Sequence, residues 1–295
     1  MTESGGGFSQ PSVPDPLLTD RLSTIASRYD ALLCDAWGVI HDGVNLFPGA
    51  GEALERFRTE RGPVIILTNA PRPSSIIPAQ LDRLGLPRSA YDAVVTSGDA
   101  TRAAIMARLP APAFRLGPEK DDPLYEGVDI DFVPIEDASF IVCTGLFDDQ
   151  NEQPEAYRPL LEKGAARRLP MICANPDIVV RWGGRLIYCA GALAEIYKEL
   201  GGEVIYGGKP HRPIYELALS KVAAIRGAPL PPSRTLAVGD GLHTDIAGAN
   251  AQGIDVVFVV GSGGVHAGSR SHGDVVKALN EADARAVAIM EKLAW

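Results

Sequence analysis

Apolar positions in this chain follow two alternating patterns: short unbroken runs, and longer stretches where they recur every three or four residues. The runs Ala31–Cys34, Val64–Leu67, Tyr91–Thr96, Thr235–Val238 and Asp255–Val260 predict strands buried on both faces. Between them, Gly51–Arg61 carries Ala53, Leu54 and Phe57 at helical spacing. Pro213–Arg226 likewise puts Ile214, Leu217, Ala218 and Val222 on one side. Thr244 predicts a cap for a helix that runs through Gln252 and stops at Gly253, and Val275–Leu293 predicts a final helix. Strands alternating with helices define an α/β chain with a Rossmann-like parallel sheet covered on both faces.

The middle of the chain repeats the style on a smaller scale. Phe114–Leu116, Ser139–Thr144 and Met171–Ala174 predict three more strands, separated by an acidic, proline-bearing stretch at 117–137 and a polar loop at 147–154. The segments that carry chemistry all lie outside this region. It is therefore expected to be a second α/β unit inserted into the first. The expected division is a tail at 1–16, a core formed by 17–98 and 191–295, and an inserted cap at 99–190. Glu203–Tyr206 is expected as a strand of the core.

Composition narrows the class of protein without naming it. Hydrophobic residues make up 46% and charged residues 22%, as in an ordinary globular protein. The net charge of −9, with no compensating run of Lys or Arg, argues against nucleic acid and anionic membrane as partners. Cys34, Cys143, Cys173 and Cys189 have no metal-ligand spacing and lie in apolar surroundings, so reduced buried thiols are expected. The start is polar and rich in Gly, Ser and Pro, without the basic and apolar regions of a secretion signal. No stretch is long and apolar enough to span a bilayer. A cytoplasmic location follows as an expectation. The sequence allows a homo-oligomer and does not set its size.

Four segments carry the chemistry: CDAWGV at 34–39, VIILTNA at 64–70, GGKPHRP at 207–213 and LAVGDGLHTD at 236–245. In an open parallel sheet, ligands bind beyond the carboxyl ends of the strands. Asp35, Thr68 and Asp240 each sit at or just past such an end, and Lys209 follows a strand-like run after two glycines. Together they offer a nucleophilic carboxylate, a hydroxyl, an ammonium group and further carboxylates. That set suits transfer of a phosphoryl group to Asp35 beside a divalent cation. Close carboxylates repel, and Mg²⁺, a hard cation that shares phosphate oxygens with its substrate, removes the repulsion. Asp35 then serves as ligand and nucleophile, and Asp240 as the second carboxylate ligand. Lys209 balances charge, Thr68 orients the phosphoryl oxygens, and Asp245 braces Asp240 from the first turn of the following helix.

These motifs resemble those of the haloacid dehalogenase-like (HAD) hydrolases. The resemblance is closest to the class IIA, NagD-like subgroup with a large inserted α/β cap. Asp35 sits in the first motif, Thr68 with Asn69 in the second, Lys209 in the third, and Asp240 with Asp245 in the fourth. Ala174-Asn175-Pro176-Asp177 resembles the subgroup's cap segment. The resemblance implies a Mg²⁺-dependent phosphatase of a small phosphorylated metabolite. Lys209, Thr68 and Asn69 then hold the phosphate, and Asn175 and Asp177 reach the substrate from the cap unless they only form a turn. The backbone carbonyl of Trp37 joins Asp35 and Asp240 at the metal.

Trp37 is also the departure. Phosphatases of this family usually carry an Asp there, which protonates the leaving alcohol and then activates water. An indole does neither. His41 or Asp42, in the same loop, is a candidate replacement, and Arg72 a candidate for an anionic group on the substrate. Two alternatives stay open: a protein that binds Mg²⁺ and phosphorylated metabolites with impaired turnover, and a dehalogenase.

Overall fold

The computed structural model describes residues 15–261 and 271–295, so most of the tail expected at 1–16 lies outside the described residues. Among the described residues thirteen strands follow one another as β1 (Leu17–Leu18), β2 (Ala31–Cys34), β3 (Val64–Thr68), β4 (Ala93–Thr96), β5 (Ala113–Leu116), β6 (Phe140–Cys143), β7 (Met171–Cys173), β8 (Val179–Trp182), β9 (Arg185–Tyr188), β10 (Val204–Tyr206), β11 (Thr235–Gly239), β12 (Asp255–Val259) and β13 (Ala288–Met290). Seven of them form a sheet in the order β1-β13-β12-β11-β2-β3-β4. Every pairing in it is parallel.

Strand alternation explains the unbroken apolar runs. Leu32, Cys34, Val64 and Ile66 face one core with the helices Ala50–Glu60 and Ile77–Leu84. Ala31, Leu33, Ile65 and Leu67 face a second core with Arg212–Arg226 and His272–Glu281. A strand buried on both sides has no place for a polar residue until it ends. The first polar side chain therefore arrives at the sheet edge, as Asp35 after β2 and Thr68 at the end of β3.

The second unit is a four-stranded parallel sheet, β10-β7-β6-β5, with the antiparallel hairpin β8-β9 beside it. Its core gathers Leu116, Ile141, Cys143, Met171 and Cys173 under the helices Arg158–Ala166 and Ala190–Glu199. The boundary expected at 190/191 needs correction. Val204–Tyr206 pairs in register with Met171–Cys173, so the inserted sheet claims β10 and the chain returns to the large sheet only afterwards. A strand-like run carries no label for the sheet it joins, and here local pairing with β7 decided it. The other expected boundary, 98/99, falls inside helix Ser97–Met106, which starts at the large sheet and packs Ile105 into the cap.

Two further expectations are revised. The long final helix is a helix at His272–Glu281 followed by β13, whose Ala288-Ile289-Met290 pairs with Val257-Phe258-Val259. Thr244 caps no helix. It lies inside a wide π-type turn, Leu242–Ile246, ahead of the short helix Ala247–Ala251. All four cysteines are buried and free, and no described helix is long and apolar enough to cross a membrane.

Candidate active site

β2, β3 and β11 are neighbours in the middle of the large sheet, so their carboxyl ends bring Asp35, Thr68 and Asp240 to one edge. Lys209 enters from the segment that crosses back from β10. Its Nζ donates to Asp35 Oδ1 at 2.6 Å and to Asp245 Oδ1 at 2.7 Å, with all three residues buried. Asn69 clamps the crossing segment: its Oδ1 accepts the Lys209 N–H at 2.7 Å, and its Nδ2 donates to the Lys209 carbonyl at 3.1 Å. The same Nδ2 donates to Asp177 Oδ1 at 2.9 Å. Asn69 thus ties motif residues of the core to the cap.

Asp245, expected to brace Asp240, instead holds Lys209 through its Oδ1. Its second oxygen accepts from the Gly241 N–H at 3.1 Å, which leaves both carboxylate oxygens engaged. Asp240 differs: no described residue donates a hydrogen bond to its carboxylate. Gly38, at φ +79°, lies so close that a Cβ there would sit 2.1 Å from Asp240 Oδ2. Only glycine fits this left-handed position against that oxygen.

The charges of the group are unbalanced. Asp35, Asp240 and Asp245 each present an oxygen within 4.8 Å of the others, and Lys209 supplies one positive charge. Burial pushes the Asp35 carboxyl up and the neighbouring Asp245 adds to this, while Lys209 pulls it down. Asp240 is driven well up by burial and then by Asp35 and Asp245. Lys209 is held well above its ordinary range, because Asp245 and Asp35 outweigh its burial. A cluster of hard oxygens with excess negative charge fits a divalent cation. The unengaged Asp240 carboxylate and the Asp35 oxygen not held by Lys209 are acceptor atoms left free to take one. Trp37 lines the same recess, and its carbonyl accepts no hydrogen bond from a described residue.

Beyond this corner a cavity of about 660 Å³ opens between the sheets, lined by Asp35, Thr68, Arg72, Asp121, Asn175 and Asp177 among others. Trp37, half-buried, forms part of its wall. Burial pushes Asp177 up, against the pull of Lys209 and Asn69. Arg72 lines the cavity too, donating from Nη2 to Gln80 Oε1 at 3.1 Å, with its Nε 3.7 Å from Asp121 Oδ1.

Neither candidate replacement for the missing acid is free to act. His41 is 1% exposed, its Nδ1 accepts the Gly43 N–H at 3.0 Å, and burial lowers it to about 4. Asp42 accepts the Val44 and Asn45 N–H groups at 2.9 and 2.7 Å, making the turn. Both are structural residues of the loop. His211 stacks on Tyr206 ahead of helix Arg212–Arg226 and takes no part in the site.

Three wall residues were not foreseen. Trp182 and Tyr188 come from the β8-β9 hairpin, which the Gly183-Gly184 pair between two apolar runs could have signalled. Asp121, 3% exposed, is raised to about 6 by burial, with Arg72 and Lys120 opposing. Nothing in the sequence separates it from its acidic neighbours.

Comparison with known proteins agrees with this geometry. Residues 32–130 match the family described as haloacid dehalogenase-like hydrolase, and residues 206–288 match a HAD-hydrolase-like family. A crystal structure of a haloacid dehalogenase-like hydrolase from Brucella suis 1330 is 46% identical, covers 94% of this chain and 100% of its own, and superposes with a TM-score of 0.86. The chain belongs to the haloacid dehalogenase-like hydrolases. Its fold, cap included, is shared by a "possible sugar phosphatase" of Cytophaga hutchinsonii at 22% identity, covering 94% of this chain and 98% of that one, TM-score 0.76. NagD from E. coli K-12 shares it at 21% identity, covering 90% and 96%, TM-score 0.62. No curated protein matches the chain.

Proposed function

We propose that this hydrolase is a Mg²⁺-dependent phosphatase of a small phosphorylated metabolite, working through a phosphoryl group carried on Asp35. The observation that carries the reading is the buried ammonium of Lys209 bridging Asp35 and Asp245 beside an unengaged Asp240. Relatives of the same fold described as a sugar phosphatase and as p-nitrophenyl phosphatases support the reaction class. In the first step one Asp35 carboxylate oxygen attacks phosphorus, the bond from phosphorus to the leaving oxygen breaks, and that oxygen takes the electron pair. Lys209 fixes the attacking carboxylate and faces the phosphoryl charge, while the Thr68 hydroxyl orients the phosphoryl oxygens. Water then attacks phosphorus and the bond to Asp35 breaks, regenerating the carboxylate. Asp35, Asp240 and the Trp37 carbonyl would hold the cation, which supplies charge neutralisation on the phosphoryl oxygens.

The test is phosphate release from a panel of metabolite phosphates with Mg²⁺ and with EDTA, in wild type and Asp35→Asn. The reading requires release that depends on Mg²⁺ and vanishes in the variant. A second reading rests on Trp37 and on the engaged state of His41 and Asp42: a protein that binds Mg²⁺ and phosphorylated metabolites without turnover. It requires ligand-induced thermal stabilisation and no product after long incubation. The carbon–halogen alternative has no use for the cation cluster.

A further inference from the structure

Resting on the phosphatase reading, we infer that this site selects phosphate esters of an acidic hydroxyl on a planar ring, phenol-like or enol-like, over esters of ordinary alcohols. The geometry behind this lies at Gly43. A Cβ on that residue would meet Trp37 Cη2 and Trp182 Cδ1, each at 2.4 Å. The two indoles therefore converge on the same glycine, one from the loop after β2 and one from the cap hairpin. The hairpin tip is tied to that loop by the Gly183 N–H, which donates to the Asp42 carbonyl at 2.9 Å. Trp37 and Trp182, with Tyr188 further along β9, give the cavity an aromatic wall next to Asp35. Flat conjugated groups gain more from such a wall than flexible polyols do.

The chemistry at the leaving oxygen points the same way. The loop that would carry a general acid offers an indole at Trp37, a buried His41 held by Gly43, and an Asp42 spent on its own turn. An alkoxide leaving without a proton meets a high barrier. A phenolate or enolate departs with the electron pair and needs no proton, so the first step balances without an acid. In the second step both protons of the attacking water stay on the phosphate, which leaves as dihydrogen phosphate. One substitution at position 37 thus removes the acid and supplies the wall.

The experiment compares kcat/KM for phenyl, benzyl and glycerol phosphate with Mg²⁺, in wild type and Trp182→Ala. Benzyl phosphate keeps the ring but leaves as an alkoxide, which separates stacking from leaving-group acidity. Phenyl phosphate should exceed benzyl phosphate by on the order of 10²–10⁴-fold, the worth of the missing acid. Trp182 is 40% exposed at the hairpin tip, so its truncation spares the fold. In that variant the preference for benzyl over glycerol phosphate should fall by at least about fivefold, through KM. Equal rates for phenyl and benzyl phosphate would leave the phosphatase standing and overturn this inference. A ring preference unchanged in Trp182→Ala would overturn its aromatic half. Release from none of the three would remove the phosphatase reading and the inference with it.

Discussion

The corner that holds Asp35 and the cavity that opens from it are built on opposite plans. The corner is charged, buried and rigid. Its side chains stand at the ends of neighbouring strands of one parallel sheet, and Asn69 and Lys209 bolt the crossing segment to them. One side of the cavity is an aromatic, partly exposed wall, assembled from a loop of the core and a hairpin of the cap far away in sequence, and the rest of its lining is polar and charged. On the proposed reading the corner transfers the phosphoryl group, and the wall selects the ester it is taken from. The two plans meet at Trp37, whose backbone belongs to the corner and whose ring belongs to the wall.

The largest effect is expected where the two regions meet. Trp37→Asp returns an acid to the loop and should raise kcat/KM for alkyl phosphates by on the order of 10²-fold or more, while that for aryl phosphates, which need no acid and lose the Trp37 ring, does not rise. Steady-state kinetics on both ester classes reads this; unchanged alkyl rates in a folded variant would detach Trp37 from leaving-group chemistry. Next comes the bridge inside the corner. Lys209→Met strands Asp35 and Asp245 without their partner and should cost about 3–5 kcal/mol of stability. Thermal or urea unfolding measures it, and Mg²⁺ should recover part of the loss by compensating the same charge. A smaller change is expected at Gly38→Ala, where the new Cβ meets Asp240 Oδ2. Mg²⁺ should bind on the order of 10–100-fold more weakly, read by titration of activity against the cation.

The smallest effect tests the loop beneath the wall. His41 is buried and neutral, lowered from its usual 6.5 to about 4. The unfolded chain takes up its proton below about pH 6.5, and the folded chain does not until about pH 4. The stability this contributes is present above about 6.5 and lost as the pH falls towards 4. Between about pH 7 and about pH 5 the loss should be on the order of 1–2 kcal/mol. The fall in the urea midpoint over that interval should be shallower in His41→Gln.

The corner was legible in the sequence because its first carboxylate, its hydroxyl and its second carboxylate stand at the ends of unbroken apolar runs. Asp35 and Thr68 were placed by the strands before them, and Asp240 by β11. Asp245 and Lys209 were found by motif, and their mutual contacts followed from the sheet order. Of the wall, Trp37 stood out in the sequence as the departure from the first motif, whereas Trp182 and Tyr188 share no periodicity with it. Trp182 became visible only once the hairpin was paired and folded back on the loop at 41–44. Sheet membership was equally hidden: β10 read as a core strand and pairs in the cap, and β13 read as part of a helix because Ala286, Ala288 and Ile289 suit either state. His41 and Asp42 looked like substitutes for the acid only because their hydrogen bonds to Gly43, Val44 and Asn45 cannot be read from the chain.

The most direct test is to quench the enzyme during turnover of an aryl phosphate with Mg²⁺ and map the peptide carrying Asp35 by mass spectrometry. The account predicts one added phosphoryl group on Asp35, absent with EDTA and absent in Asp35→Asn. Phosphate release with no phosphoryl group on Asp35 at any time point would contradict it, because water would then be attacking the substrate directly.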